Sequence, residues 1–317
     1  MPIRSPYFQF SSSSVVDPMR RSVLSILLLT FLLAGCDSGD VVQQEVAKVQ
    51  VRLEIENLPP LESGFHYQAW ARIGLNDLGT ESFNKAANGG YINNAGQFVQ
   101  NVFVFEDDVS SASQIFITIE DKRDSDALPS GSVVLAGDVV NSVANLSVTH
   151  ELALGTGFGS AAGQFMLFSN AFGGSASDLS GVWFTGGNAT TLTPGLTLPA
   201  LPEGWVYEGW IELGDALLST GTFRDGNTHD LNRRYSNTDT PPFPGEDFLE
   251  NAPAGVTFPI NPASGIVKVT VEPFPDDWSA PFGITVLSGT APAAPSARTP
   301  YPMSASFSAP SGTATLF

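Results

Sequence analysis

Hydrophobic and polar residues alternate strictly over 49–56 (VQVRLEIE), which places Val49, Val51, Leu53 and Ile55 on one face of a strand. The same period of two puts Phe65, Tyr67, Ala69, Ala71 and Ile73 on a common face, and likewise Ile115, Ile117 and Ile119. Further along, Trp205, Tyr207, Gly209, Ile211 and Leu213 share a face, as do Val267, Val269 and Val271. After the leader, no segment carries an apolar stripe at helical spacing. Short alternating strands separated by Gly- and Pro-rich turns predict an all-β chain built as antiparallel sandwiches.

The pattern repeats. Gly64-Phe-His-Tyr-Gln-Ala-Trp70 matches Gly204-Trp-Val-Tyr-Glu-Gly-Trp210, and each follows a Leu/Pro turn, Leu58-Pro-Pro-Leu61 or Leu198-Pro-Ala-Leu-Pro202. Ile117-Thr-Ile-Glu120 matches Val269-Thr-Val-Glu272. Pro129, Gly131, Val134, Leu135 and Gly137 then find Pro281, Gly283, Val286, Leu287 and Gly289. The spacing lengthens by 12 residues in the second copy, and the polar loop around 224–256 is the simplest place for them. A weaker echo, Gly163–Phe168 against Gly312–Phe317, suggests that each copy closes with a similar strand. The expected organisation is a leader over 1–35, a polar tether over 36–48, and tandem repeats over 49–168 and 169–317.

The leader is an address. Arg20 and Arg21 precede the apolar run from Val23 to Ala34 (VLSILLLTFLLA), which is shorter than the roughly 20 residues of a membrane-spanning helix. Leu33-Ala-Gly-Cys36 resembles the lipobox of bacterial lipoproteins, in which the cysteine is acylated and becomes the first mature residue. The single cysteine of the chain stands at that position, which rules out an internal disulfide framework and names Cys36 as the lipid attachment site. Met19 would open a more ordinary leader than Met1. The expected location is the bacterial cell envelope, on the extracytoplasmic side.

A second resemblance rests on Leu201-Pro-Glu-Gly-Trp-Val-Tyr-Glu-Gly-Trp210, Ser219-Thr-Gly-Thr-Phe223 and Val269-Thr-Val-Glu-Pro273, followed by Pro281 and Val286-Leu-Ser-Gly289. These residues resemble the extracytoplasmic domain of anti-sigma-K factors. That domain reads as a Leu-Pro turn, a Tyr-x-x-Trp strand, a Gly-x-Phe strand and a Val-x-Glu-Pro strand before a Val-Leu-x-Gly run. The first copy keeps Tyr67, Trp70, Ile119-Glu120 and Val134-Leu-Ala-Gly137, but has Asp121 where the motif has Pro. The resemblance implies a β-sandwich. The sequence carries neither the family's zinc-binding helical domain nor its transmembrane helix, so no sigma-factor contact is expected.

Charge narrows the partners. The chain has 14 Lys+Arg against 32 Asp+Glu, a net charge of −18, and loss of residues 1–35 removes three Arg and only one Asp. Such a surface repels phosphate backbones, so nucleic acid is not an expected partner, and attachment to a membrane must come from lipid. His66, His150 and His229 lie far apart in sequence and no cysteine follows Cys36, so no metal or other cofactor is expected. Asp225–Asp230 and Asp124–Asp126 offer loop oxygens for calcium but lack EF-hand spacing and its terminal Glu, so ordinary acidic turns are the expected reading. No Gly-x-Ser-x-Gly elbow occurs. Gly155-Thr-Gly-Phe-Gly159 lacks the lysine of a phosphate loop and reads as a flexible connection. Glu120 and Glu272 occupy matching positions, which points to a shared structural task such as accepting turn amides.

Trp70 and Trp210 fall on the parity opposite the core positions, beside Gln68 and Arg72 or Glu208 and Glu212. Bare on a polar sheet face, they would stack on a sugar or anchor a protein; covered by a loop, they would be structural. Phe243 and Phe248, in the unmatched Pro-rich segment 241–248, are candidates for the same contact. These features describe a non-enzymatic, lipid-anchored envelope protein that binds, senses or supports, with an envelope protein or glycan as partner. A carbohydrate-binding lipoprotein and a secreted carboxylate- or calcium-dependent hydrolase stand as alternatives.

Overall fold

The computed structural model describes residues 48–169, 179–236, 240–275 and 278–317. Cys36 and the leader lie outside the described residues, as do the tether through residue 47 and residues 170–178, most of the 169–178 stretch that the sequence reads as the connector between the copies. Residues 46–317 form one compact unit. The described residues contain no α-helix, and every paired strand is antiparallel, as the alternation predicts.

In the first copy the strands are β1 (Gln50–Glu56), β2 (Phe65–Ile73), β3 (Asn76–Gly79), β4 (Asn84–Lys85), β5 (Tyr91–Ile92), β6 (Phe98–Val99), β7 (Val102–Val104), β8 (Gln114–Asp121), β9 (Val133–Val140), β10 (Val143–Ser147) and β11 (Ala162–Leu167). The second copy contributes β12 (Val182–Trp183), β13 (Thr185–Gly187), β14 (Leu192–Pro194), β15 (Leu196–Thr197), β16 (Trp205–Leu213), β17 (Ala216–Phe223), β18 (Gly245–Glu246), β19 (Ile266–Pro273), β20 (Ile284–Thr290), β21 (Tyr301–Ala305) and β22 (Ser311–Leu316).

The two large sheets correspond strand by strand in their order. One sheet runs β3-β2-β8-β9-β10-β22-β1-β7 and the other β17-β16-β19-β20-β21-β11-β12-β18, with β15 also pairing β11. Equivalent hairpins turn at Gly74-Leu75 and Gly214-Asp215. Their glycines have φ of 61° and 60°, the geometry that a two-residue II′ turn demands at its first position. Both long hairpins slip register at the same place, between Ile117 and Thr118 in β8 and between Val269 and Thr270 in β19. Tyr67 donates its hydroxyl to Pro59 O (2.8 Å) and Tyr207 to Pro199 O (2.7 Å), so each Leu/Pro turn is pinned to its strand in the same way.

The sixth place in each sheet is exchanged. The last strand of the chain, β22, inserts between β10 and β1 of the first copy, with registers from Val51↔Leu316 to Glu56↔Ser311 and from Val143↔Thr315 to Ser147↔Ser311. Its counterpart β11 crosses the other way and lies between β21 and β12 of the second copy. The echo between 163–168 and 312–317 therefore marks strands that each close the opposite copy. The boundary expected at 168/169 does not divide the sheets. Phe158 and Phe307, each four residues before its exchanged strand, meet with ring centroids 5.1 Å apart, and Phe158 also sets its edge against Tyr207.

Reciprocal contacts reinforce the exchange. An aromatic chain runs from Phe65 to Trp278 (5.1 Å), Phe282 (5.6 Å) and Trp205 (5.8 Å), joining the start of β2 to the start of β16. Such pairs are worth about 0.5–1.5 kcal/mol each beyond simple burial. Ser132 Oγ donates to Gly204 O (2.9 Å), and the backbones are so close there that a Cβ on Gly204 would meet the Gly131 carbonyl carbon at 2.2 Å. The hydrophobic core is correspondingly continuous, from Val51, Tyr67 and Ile117 through Trp205 and Val269 to Met303. One small sheet, β4-β5-β6, covers the end of the first sheet by packing Phe83 and Tyr91 on Phe103.

Candidate functional site

The four aromatic side chains proposed as contact residues are all inside. Trp70 is 3% exposed, Trp210 2%, Phe243 8% and Phe248 0%. The parity argument holds for Trp70, since it points away from the main core. That second face has its own small cluster, in which Trp70 packs with Phe116, Ala136 and Ala153 under the turn after β10. Phe248 stacks on Tyr235 (5.7 Å) and meets Phe258 edge-on, and β18, in the same Pro-rich segment, pairs with β12. The segment fills the end of the second sheet where β7 fills the first, and it presents no aromatic platform.

What the tryptophans hold instead is a Trp-to-Thr bond repeated in both copies, continued through Glu120 in the first and to the Glu208 carbonyl in the second. Trp70 Nε1 donates to Thr118 Oγ1 (2.8 Å), Thr118 donates to Glu120, and Glu120 accepts the Ser130 amide (3.0 Å). In the second copy Trp210 Nε1 donates to Thr270 Oγ1 (2.9 Å), and Glu272 accepts the Phe282 amide (2.8 Å). Thr118, Thr270, Glu120 and Glu272 are all buried, so each of these bonds replaces water that the groups have lost. Glu120 and Glu272 thus hold the turn before the next strand, as their shared position suggests. Burial pushes the Glu120 carboxyl above the usual carboxylate range, opposed by its bonds to Thr118 and Ser130.

The remaining sequence candidates are dispersed. His150 Nε2 lies 3.5 Å from Asp138, while its Nδ1 accepts the Leu152 amide. His66 is partly buried beside Asp121 and its pKa is lowered, chiefly by desolvation. His229 is exposed. Asp225 and Asp124 are occupied by Asx-type bonds to the amides of Asn227 and Asp126 (2.9 and 3.0 Å). Among the described residues, no group of three or more His, Cys, Asp or Glu is placed to hold a metal ion.

The segment after β17 holds a different acid cluster. Glu246 accepts the amides of Arg234 (3.0 Å) and Tyr235 (2.9 Å) and the hydroxyl of Ser236. Asp230 accepts the Gly245 amide through one oxygen (2.9 Å), and burial raises its pKa well above the normal range. These bonds knit the long loop to β18 and are structural.

Three concavities stand out on the first copy. One of 220 Å³ lies over His66, Gln68 and Glu120, and another of 390 Å³ lies between the copies beside Phe274 and Arg123. The third, of 730 Å³, opens where β1 and β22 face the β4-β5-β6 sheet, with Lys85, Tyr91 and Asn101 in its wall. Lys85 is a buried residue that sequence reasoning missed. A usable signal was present, since Lys85 follows Phe83 at the two-residue spacing that puts both on the inward face.

Comparison with protein-family models, with curated proteins and with solved structures gives no match for this chain.

Proposed function

We propose that this protein is a lipid-anchored, extracytoplasmic component of the bacterial cell envelope, and that its folded part is a non-catalytic binding or structural module. The observation that carries the proposal is the single cysteine, Cys36, directly after the Val23–Ala34 apolar run and Leu33-Ala34-Gly35. The fold gives that anchor a mechanical sense. Lys48 is the first described residue, twelve positions after Cys36, so a fully extended tether would reach at most about 40 Å. The strand that follows, β1, is clamped on both sides by β22 and β7, so a pull on the lipid loads an internal strand. The likeness to anti-sigma-K extracytoplasmic domains supports the same side of the membrane, and the proposed partner is an envelope protein or glycan.

The test is metabolic labelling in a bacterial host with an alkyne fatty acid, followed by membrane fractionation. Wild-type protein should carry the label and sediment with membranes, and Cys36→Ala should lose both properties. Label that survives in Cys36→Ala overturns the anchoring.

A further inference from the structure

Six large apolar side chains among the described residues are more than half exposed, and three of them, Leu75, Val140 and Phe317, stand at one end of the first sheet. Leu75 is the fully exposed tip of the β2–β3 hairpin, Val140 is 64% exposed where β9 turns into β10, and Phe317 is 55% exposed just after β22. Backbone bonds carry this end from strand to strand. Ser113 N donates to Arg72 O (2.9 Å), Val139 N to Ser113 O (2.8 Å), Leu316 N to Ser142 O (2.8 Å) and Phe317 N to Gln50 O (3.0 Å). From β2 to β1 the end spans five strand spacings, about 24 Å.

The second copy supplies an internal control. Its equivalent hairpin carries Asp215 at the tip where the first carries Leu75, so the turn itself does not call for an apolar residue. Phe168, which follows β11 as Phe317 follows β22, is buried against Trp183 and beneath the Arg298 guanidinium. Three large apolar groups left in water on one copy alone are a cost that the twin fold avoids. Strand β1 begins at this same end. Phe105 N bonds Val49 O (3.0 Å), and Lys48 pairs with Glu106 (2.6 Å). The chain that precedes Lys48 therefore departs from the end that carries Leu75, Val140 and Phe317.

We infer that this end of the first sheet rests on a lipid bilayer, with Leu75, Val140 and Phe317 set into the headgroup layer of the leaflet that anchors the chain. The inference rests on the proposed acylation of Cys36. Cys36 lies twelve positions before Lys48, so the leaflet is never more than about 40 Å from this end. Tethering holds the three side chains at a high effective concentration of lipid, so shallow insertion suffices. Charge does not make the contact. Glu106, Asp107 and Asp108 follow β7 beside Lys48, while Asp77 and Asp138 are held by Arg72 and Gln114. Arg52 is placed over the Phe317 ring, 4.9 Å from its centroid. Anionic headgroups repel such an acidic rim, so the surface that fits is a zwitterionic one.

The test places a polarity-sensitive fluorophore on the full acylated chain in phosphatidylcholine vesicles. Leu75→Cys, Val140→Cys and, in the loop at the opposite end of β8, Leu128→Cys each give one attachment point. An acylated Cys36 is blocked, so each variant takes one label. Two labels per chain would show a free Cys36 and overturn the anchoring itself, and the inference with it. With one label, emission from positions 75 and 140 should shift to the blue and be quenched by spin-labelled lipid, while that from 128 stays as in water. The shift should survive high salt, because apolar contact is not screened. Val140→Ser and Phe317→Ser together should return the probe at 75 towards its emission in water, with the circular dichroism spectrum unchanged. Positions 75 and 140 that emit like 128, or a blue shift that salt abolishes, would overturn the inference and leave the anchor standing.

Discussion

Replacing Trp210 separates a buried support from a docking platform. The indole is 2% exposed, and its N–H is spent on Thr270 Oγ1 at 2.9 Å in the middle of β19. Truncation to alanine removes a large aromatic from a closed site and leaves a cavity, which costs about 3–5 kcal/mol. Against the marginal stability of a native fold, that loss is a large fraction of the total. Trp210→Phe keeps most of the packing and removes the indole bond, while Thr270 Oγ1 still donates to Glu208 O (3.4 Å), so it should cost less, about 0.5–1.5 kcal/mol. Urea unfolding followed by circular dichroism reads both. A cycle with Thr270→Val should show a coupling of about 1 kcal/mol, because the two groups are in contact. Trp70 and Thr118 should couple more strongly, since Thr118 passes the bond on to Glu120. A Trp210→Ala protein that unfolds at the wild-type urea midpoint would refute this reading and return the tryptophan to the surface.

Two further outcomes follow from burial and exchange. Asp230 has a raised pKa in the folded state, so it binds its proton more tightly folded than unfolded. The stability it contributes is fully present below its unfolded pKa, near the ordinary carboxylate value of 3.8, and is lost as pH rises through the folded value. Asp230→Asn should therefore melt higher than wild type at neutral pH, with the gap closing on acidification in calorimetry; a gap independent of pH would contradict the burial argument. Ala314 is fully buried in β22, and Ala314→Asp should expose the amides of β1 and β10 to hydrogen exchange while β21, which precedes it in sequence, stays protected.

The strands were readable because alternation is a local property. Tyr67, Ala69 and Ala71 enter the core as their spacing predicts, and so do Val267, Val269 and Val271. The second buried face was not readable from alternation, because the residues that cover Trp70 come from Leu152 and Ala153 in a turn with no period of its own. Strand exchange was hidden for a different reason. The β11 and β22 sequences resemble each other, so either satisfies the inward pattern of either slot, and the choice is made by crossovers that meet at Phe158 and Phe307. The turn-holding role of Glu120 and Glu272 was legible because a duplicated chain repeats its supports. Lys85 has no such partner in the second copy, and its burial depends on a wall built by β1, far away in sequence.

The most direct test of the interlocked fold is a cross-link between its ends. Glu54 and Thr313 are register partners in β1 and β22, and a hydrogen-bonded antiparallel pair holds its Cα atoms about 5.5 Å apart, within disulfide reach. The variant carries Glu54→Cys and Thr313→Cys in a Cys36→Ser background, with a protease site inserted in the 170–178 connector. After oxidation and cleavage, the exchange predicts that the N- and C-terminal halves migrate together without reductant and separate with it. Halves that separate without reductant would show that β22 closes its own copy and would contradict the exchange.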